Sequence, residues 1–132
     1  MKITILLDHD LEGLDVFLEA GFRETGWDQV LKIRFSRLRD FGLPDDCTDQ
    51  EIWRFVQQQR LLLMTSNRNN ESETSLEAVI WRENTLDSFP VVTISDKDHL
   101  VTADYRQRVA DSLAAIIIYL DNYLGSGRLY VP

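Results

Sequence analysis

Cysteine is almost missing from this chain. Cys47 is the only one, so no disulfide can form within it, a composition that suits a reducing compartment. Histidine occurs twice, as His9 and His99, far apart in sequence, and no His or Cys spacing of a zinc site is present. There is no glycine-rich phosphate loop of either common pattern. Long hydrophobic runs are lacking too: the longest, LAAIIIYL (Leu113 to Leu120), is less than half of a membrane span. The opening MKITILLDHD is too short in its apolar part and too acidic at its end for a signal peptide. The expectation is a soluble, cytoplasmic protein with no membrane partner. Positive charge is scarce, with 14 Lys and Arg against 22 Asp and Glu and a net charge of −8. That balance argues against broad, non-specific nucleic-acid binding, which needs a basic surface.

What is present is an ordinary globular composition, 44% hydrophobic and 27% charged over 132 residues, enough for one domain with one core. The run ITILLD (Ile3 to Asp8) is apolar on both faces and ends in an acid, as in a strand buried inside a parallel sheet. Strands are expected near residues 2 to 8, 29 to 35, 61 to 66, 90 to 95 and 128 to 131. Between them lie helical patterns. Leu11, Leu14, Phe17 and Leu18 share one face, with Gly21 as the expected stop. Thr48 followed three residues later by Glu51 has capping-box spacing. Residues 75 to 84 and 103 to 124 form two further helices. Strands alternating with helices predict a three-layer α/β/α sandwich on a mainly parallel five-stranded sheet, with right-handed crossovers.

In open α/β sheets, ligands bind beyond the carboxyl ends of the strands. Those ends carry Asp8, His9 and Asp10, then Asp45, Asp46, Asp49 and Glu51, then Ser66, Asn67, Arg68 and Asn69, then Asp96, Asp98 and His99. Carboxylates from several strand ends are what a Mg²⁺ or Mn²⁺ site requires, because hard cations take oxygen ligands. Each acid also has a structural explanation. Asp49 and Glu51 suit the first turn of a helix, and Asp45 and Asp46 suit a turn after Pro44. Asp8, at the end of a buried strand, is the hardest to explain structurally. The segment KIRFSRLR places Lys32 and Arg34 on one face of a strand and Ile33 and Phe35 on the other. Either it is a solvated edge whose charges block aggregation, or it contacts phosphates.

Four segments in order resemble the PIN-like superfamily, in particular its small family of toxin components and nucleases. They are ILLDHDLEG, GLPDDCTDQEIWRFVQQQ, RLLLMTSNRNN and GRLYVP. The resemblance implies a metal-dependent ribonuclease site. Asp8 matches the first acid and Asp49 the second, with Glu51 as a helper. The third motif departs from the pattern: where the family has two aspartates, this chain has Asn67 and Asn69. Two carboxylates become neutral amides, so a second metal should be held poorly. Asp10 or Asp96, if either projects from a neighbouring strand end, would compensate for the missing charge. Asn67, Arg68 and Asn69 also form a loop able to bind a base, a phosphate or a peptide without cutting it.

Two functions therefore compete. One is a binding or interaction module on a degenerate PIN-like scaffold, with RNA or a protein as partner, Lys32, Arg34 and Arg68 being the nucleic-acid contacts. The other is a Mg²⁺- or Mn²⁺-dependent endoribonuclease of the toxin type, whose rearranged site uses Asp8, Asp49, Glu51 and Asp96. An unrelated flavodoxin-like or receiver-like fold is a further reading, the receiver being opposed by MTSN standing where a phosphorylatable aspartate belongs. A homodimer is expected from the apolar surplus of Ile116, Ile117, Ile118, Tyr119 and Tyr123, to which Trp53 and Trp81 would add.

Overall fold

The structure, a computed structural model, describes residues 2–66 and 75–132. Its elements are β1 (Lys2–Leu7), α1 (Asp15–Thr25), β2 (Lys32–Arg37), α2 (Asp49–Gln59), β3 (Leu62–Thr65), α3 (Leu76–Glu83), β4 (Val91–Ile94), α4 (Ala103–Ile118), α5 (Leu120–Tyr123) and β5 (Arg128–Val131). The five strands form one sheet in the order β2-β1-β3-β4-β5, and every neighbouring pair is parallel. The expected three-layer sandwich is present. β1 is an interior strand, as its two apolar faces require, although β3 holds the middle of the sheet.

Alternation along the strands divides the interior into two cores. Ile5, Leu7, Leu62, Met64, Val92 and Ile94 face α1 and α4. Leu6, Leu63 and Val91 face α2 and α3, where they meet Ile52, Trp53, Val56 and Val79. The start of α2 is the capping box read from the sequence: Glu51 N–H donates to Thr48 Oγ1, and Thr48 N–H donates to Glu51 Oε1, both at 3.1 Å.

Several expectations are corrected. Gly21 does not stop α1. It lies inside that helix, where α4 crosses so closely that a Cβ would sit 2.6 Å from Arg106 O. The stop is Gly26, at φ +83°, whose N–H bonds Arg23 O. β2 begins at Lys32 rather than near residue 29, because Trp27–Gln29 wind into a 3-10 turn and Leu31 N–H still donates to Trp27 O at 2.8 Å. The last long helix ends at Ile118. Tyr119 (φ −107°, ψ 31°) interrupts it, and the short α5 redirects the chain so that Leu120, Tyr123 and Leu124 pack against the first core. The apolar surplus on this helix is also smaller than expected. Ile116 and Ile117 are buried, and Trp53 lies in the second core, so only Ile118, Tyr119 and the 89% exposed Trp81 remain outside.

The crossovers do not all have one hand. β3 to β4 and β4 to β5 step in the same direction across the sheet, yet α3 lies on one face and α4 on the other. The first three crossovers share a hand and β4-α4-β5 has the opposite one. Parallel crossovers are right-handed in about 98% of cases, which makes the last connection the exception. Coverage explains it. Uniform handedness would leave α1 alone on its face and crowd three helices onto the other. Placing α4 beside α1 gives each face two helices.

The α1–α4 contact at Gly21 yields a test. Gly21→Ala should destabilise the fold by about 1–3 kcal/mol through overpacking, despite the better helix propensity of alanine. Urea unfolding would show a lower midpoint at unchanged slope.

Candidate functional site

Strand order places the candidate site. The chain leaving β1 goes to the α1 face and the chain leaving β3 goes to the α3 face. Adjacent strands with diverging connections open a crevice at their carboxyl ends, where ligands of doubly wound sheets bind. The residues at this point are Asp8, His9 and Asp10 after β1, and Thr65 and Ser66 at the end of β3.

Asp8 is 7% exposed. Its backbone N–H donates to Met64 O, which docks the end of β1 on β3. One carboxylate oxygen accepts from His9 N–H at 2.8 Å and the other from Thr65 Oγ1 at 2.9 Å. Asp10 turns back over the same crevice. Its Oδ2 accepts from Ser66 N–H at 3.0 Å and from the Ser66 hydroxyl, while its buried Oδ1 has no hydrogen-bond partner among the described residues. Asp49 enters from the second face. It opens α2, and its Oδ2 accepts from Leu76 N–H at 3.0 Å, which joins the starts of α2 and α3. Asp8, His9, Asp10 and Asp49 line one open cavity of about 310 Å³.

Crowding of like charges in a poorly hydrated place is visible in the acid–base behaviour. Burial pushes the Asp8 carboxyl above its ordinary range, and the neighbouring Asp10 and Asp49 push it further, against the hydrogen bonds from His9 and Thr65. Asp49 is also raised, first by burial and then by Asp10, against the Leu76 hydrogen bond. Carboxyl groups shifted upward together in a crevice are a recurrent property of functional sites.

The acids read from the sequence thus divide. Asp8 and Asp49 meet, and Asp10 joins them. Glu51 is committed to the Thr48 capping box, and Asp96 faces His99 Nδ1 at 3.6 Å on an exposed turn; neither lines the cavity. Asn67, Arg68 and Asn69 lie outside the described residues. Lys32 and Arg34 stand exposed on β2 at the sheet edge. Thr65 was not singled out by the sequence, although a hydroxyl at the last position of an apolar strand, facing an acid, is a readable signal. Lys97 was also missed; its Nζ donates to Asp10 O at 3.1 Å. Among the described residues no group of three or more His, Cys, Asp or Glu side chains is arranged to hold a metal ion.

No family model, no curated protein and no solved structure matches the chain. The site's chemistry therefore rests on its own geometry.

That geometry makes a pH prediction. A carboxyl whose folded pKa is raised contributes full stability below its ordinary value near 3.8, and the contribution is lost as pH rises through the folded value. Asp8→Asn keeps an acceptor for His9 N–H and offers a donor to Thr65 Oγ1, without the charge. It should raise the melting temperature at neutral pH, and the gain should shrink as pH falls toward 4. Paired thermal melts from pH 4 to pH 8 measure this; a loss of stability at neutral pH would mean that the charge itself holds the fold together.

Proposed function

We propose that the chain is a binding or interaction module whose ligand enters the acidic crevice between β1 and β3, and that it is not an efficient nuclease. The observation that carries this is how the three converging carboxylates are used. Asp8 accepts from His9 and Thr65, Asp10 from Ser66, and Asp49 from Leu76, so each of the three carboxylates is already tied to donors of the protein itself. What remains is a concentration of negative charge and a buried acceptor, Asp10 Oδ1, that has no partner among the described residues. A cationic group or a strong donor satisfies both. The PIN-like resemblance adds the neutral Asn67 and Asn69 where that family carries acids. The strand order is also found in flavodoxin-like proteins, so the fold alone does not choose a function.

One observation favours the second reading, a Mg²⁺- or Mn²⁺-dependent ribonuclease. Asp10 supplies a third acid beside Asp8 and Asp49, which is the compensation a rearranged site needs. Those three residues would have to draw closer to hold the ion, since no such group is arranged to do so among the described residues; the ion would then polarise a phosphate and activate a water. Asp10 Oδ1, without a partner among the described residues, would be the oxygen to begin such a shell.

The two readings separate in a Mn²⁺ titration followed by thermal melting, with cleavage of single-stranded RNA measured in parallel. The wild type should gain little stability and show no robust Mg²⁺-dependent cleavage. The double substitution Asn67→Asp with Asn69→Asp should bind Mn²⁺ more tightly and be stabilised by it, since the ion binds mainly the folded state; a tenfold gain in affinity corresponds to about 1.4 kcal/mol. Strong stabilisation and cleavage by the wild type would establish the nuclease instead.

A further inference from the structure

A second feature, independent of the acidic crevice, lies toward the amino ends of the strands. β2 is an edge strand, so alternate N–H and C=O groups along its outer side have no strand to pair with. A cavity of about 450 Å³ runs along that edge between β2 and α1. Its apolar floor is Phe22, Leu31, Ile33 and Phe35, with the Phe22 and Phe35 rings 6.1 Å apart. Lys32 and Arg34, both exposed, alternate with Ile33 and Phe35 and so point to the other face of the strand, while also bordering the cavity at its edge. Lys2 lies beside Lys32 in the sheet register and extends the basic patch onto β1. None of these three cations forms an ion pair with a described residue, whereas Arg37, Arg54, Arg106, Arg108 and Arg128 do. In a chain of net charge −8, unpaired cations collected at one sheet edge stand out.

We propose that the outer edge of β2 receives an extended acidic segment of a partner protein as a sixth strand, and that this segment alternates apolar and acidic residues. The pleat dictates the alternation. Side chains on one face of the added strand would enter the trough of Phe22, Ile33 and Phe35, and those on the other would meet Lys32 and Arg34. Residues of one face repeat every ~7 Å along a strand, and neighbouring strands lie ~4.8 Å apart, so acids at every second position reach both cations. Main-chain hydrogen bonds provide affinity and the two faces provide selection. A second copy of this chain is a poor occupant. Pairing β2 with itself while keeping Ile33 and Phe35 in the apolar layer brings Lys32 and Arg34 beside their own copies, and like charges across strands repel. A nucleic acid would satisfy the cations but not the apolar trough or the strand edge; Glu19, Asp28 and Arg23, which also line the cavity, do not favour one anion over the other.

The test uses the full chain and fluorescent nine-residue peptides, read by anisotropy. A Val/Glu alternating peptide should bind at least tenfold more tightly than a peptide of the same composition with its glutamates in one block. Two versions N-methylated at every second residue, in the two opposite phases, should differ by at least tenfold, because only one phase keeps its donors toward β2. The variant Lys32→Glu with Arg34→Glu should lose the Val/Glu peptide and accept a Val/Lys peptide. Equal binding of the alternating and blocked peptides, or of the two methylated phases, overturns the strand-addition proposal. So does a single-stranded oligonucleotide that binds this edge more tightly than the alternating peptide, which would assign the cations to phosphates. Both variant positions are exposed, and the peptide comparisons with the unaltered chain stand whether or not the variant folds.

Discussion

The hydrogen bond from Thr65 to Asp8 joins two strands at the one place where their apolar faces run out. β1 and β3 are packed on both sides, so polar chemistry can enter only at their ends. At those ends water is restricted and every buried acceptor needs a donor. Thr65 supplies one, the 3-10 turn after β1 supplies another through His9 N–H, and Ser66 answers Asp10 in the same way. The acids therefore do two things at once. They fasten the carboxyl ends of β1 and β3 together, and they gather negative charge where the two connections diverge.

The helices follow from the same constraint. A sheet apolar on both faces must be covered on both, and four connecting helices cover it evenly only in pairs. The chain reaches that balance by reversing the hand of its last crossover, with the 3-10 turn Lys97–Val101 carrying it from β4 to the start of α4. Gly21 then lets α1 and α4 close on each other, and the exposed Arg106–Glu24 pair, with N···O at 2.6 Å, lies at the same crossing. The same turn also brings Lys97 to the backbone of Asp10, so the unusual connection leaves a cation beside the acidic crevice.

Much of this architecture was legible in the residues. Two-sided apolar runs marked the parallel strands, and Thr48 with Glu51 marked the start of α2 to the residue. Local pattern was silent where distant packing decides. Gly21 reads as a helix stop until α4 is laid across it, and the hand of a crossover depends on which helix covers which face. In the site, Asp8 and Asp49 were readable because an acid after a buried strand and an acid at a helix start each leave a trace. Asp10 was only one of two candidates, since nothing short of the fold shows that the turn after β1 curls it back toward β3 while Asp96 points away. The basic alternation in KIRFSRLR was equally plain, but its meaning depends on β2 being an edge.

Charge at position 8 is not what the hydrogen bonds require. An amide there could accept from His9 and donate to Thr65, and would avoid the burial and repulsion that raise the Asp8 carboxyl. Asp10 and Asp49 add to that repulsion rather than relieving it. Natural sequences give up stability in this way mainly where the strained group is used. Charge is nevertheless kept at positions 8, 10 and 49, at the cost that the raised Asp8 and Asp49 carboxyls express. A crevice that selects one positively charged or strongly donating group uses that charge directly, and this is the physical ground of the proposal that the site binds.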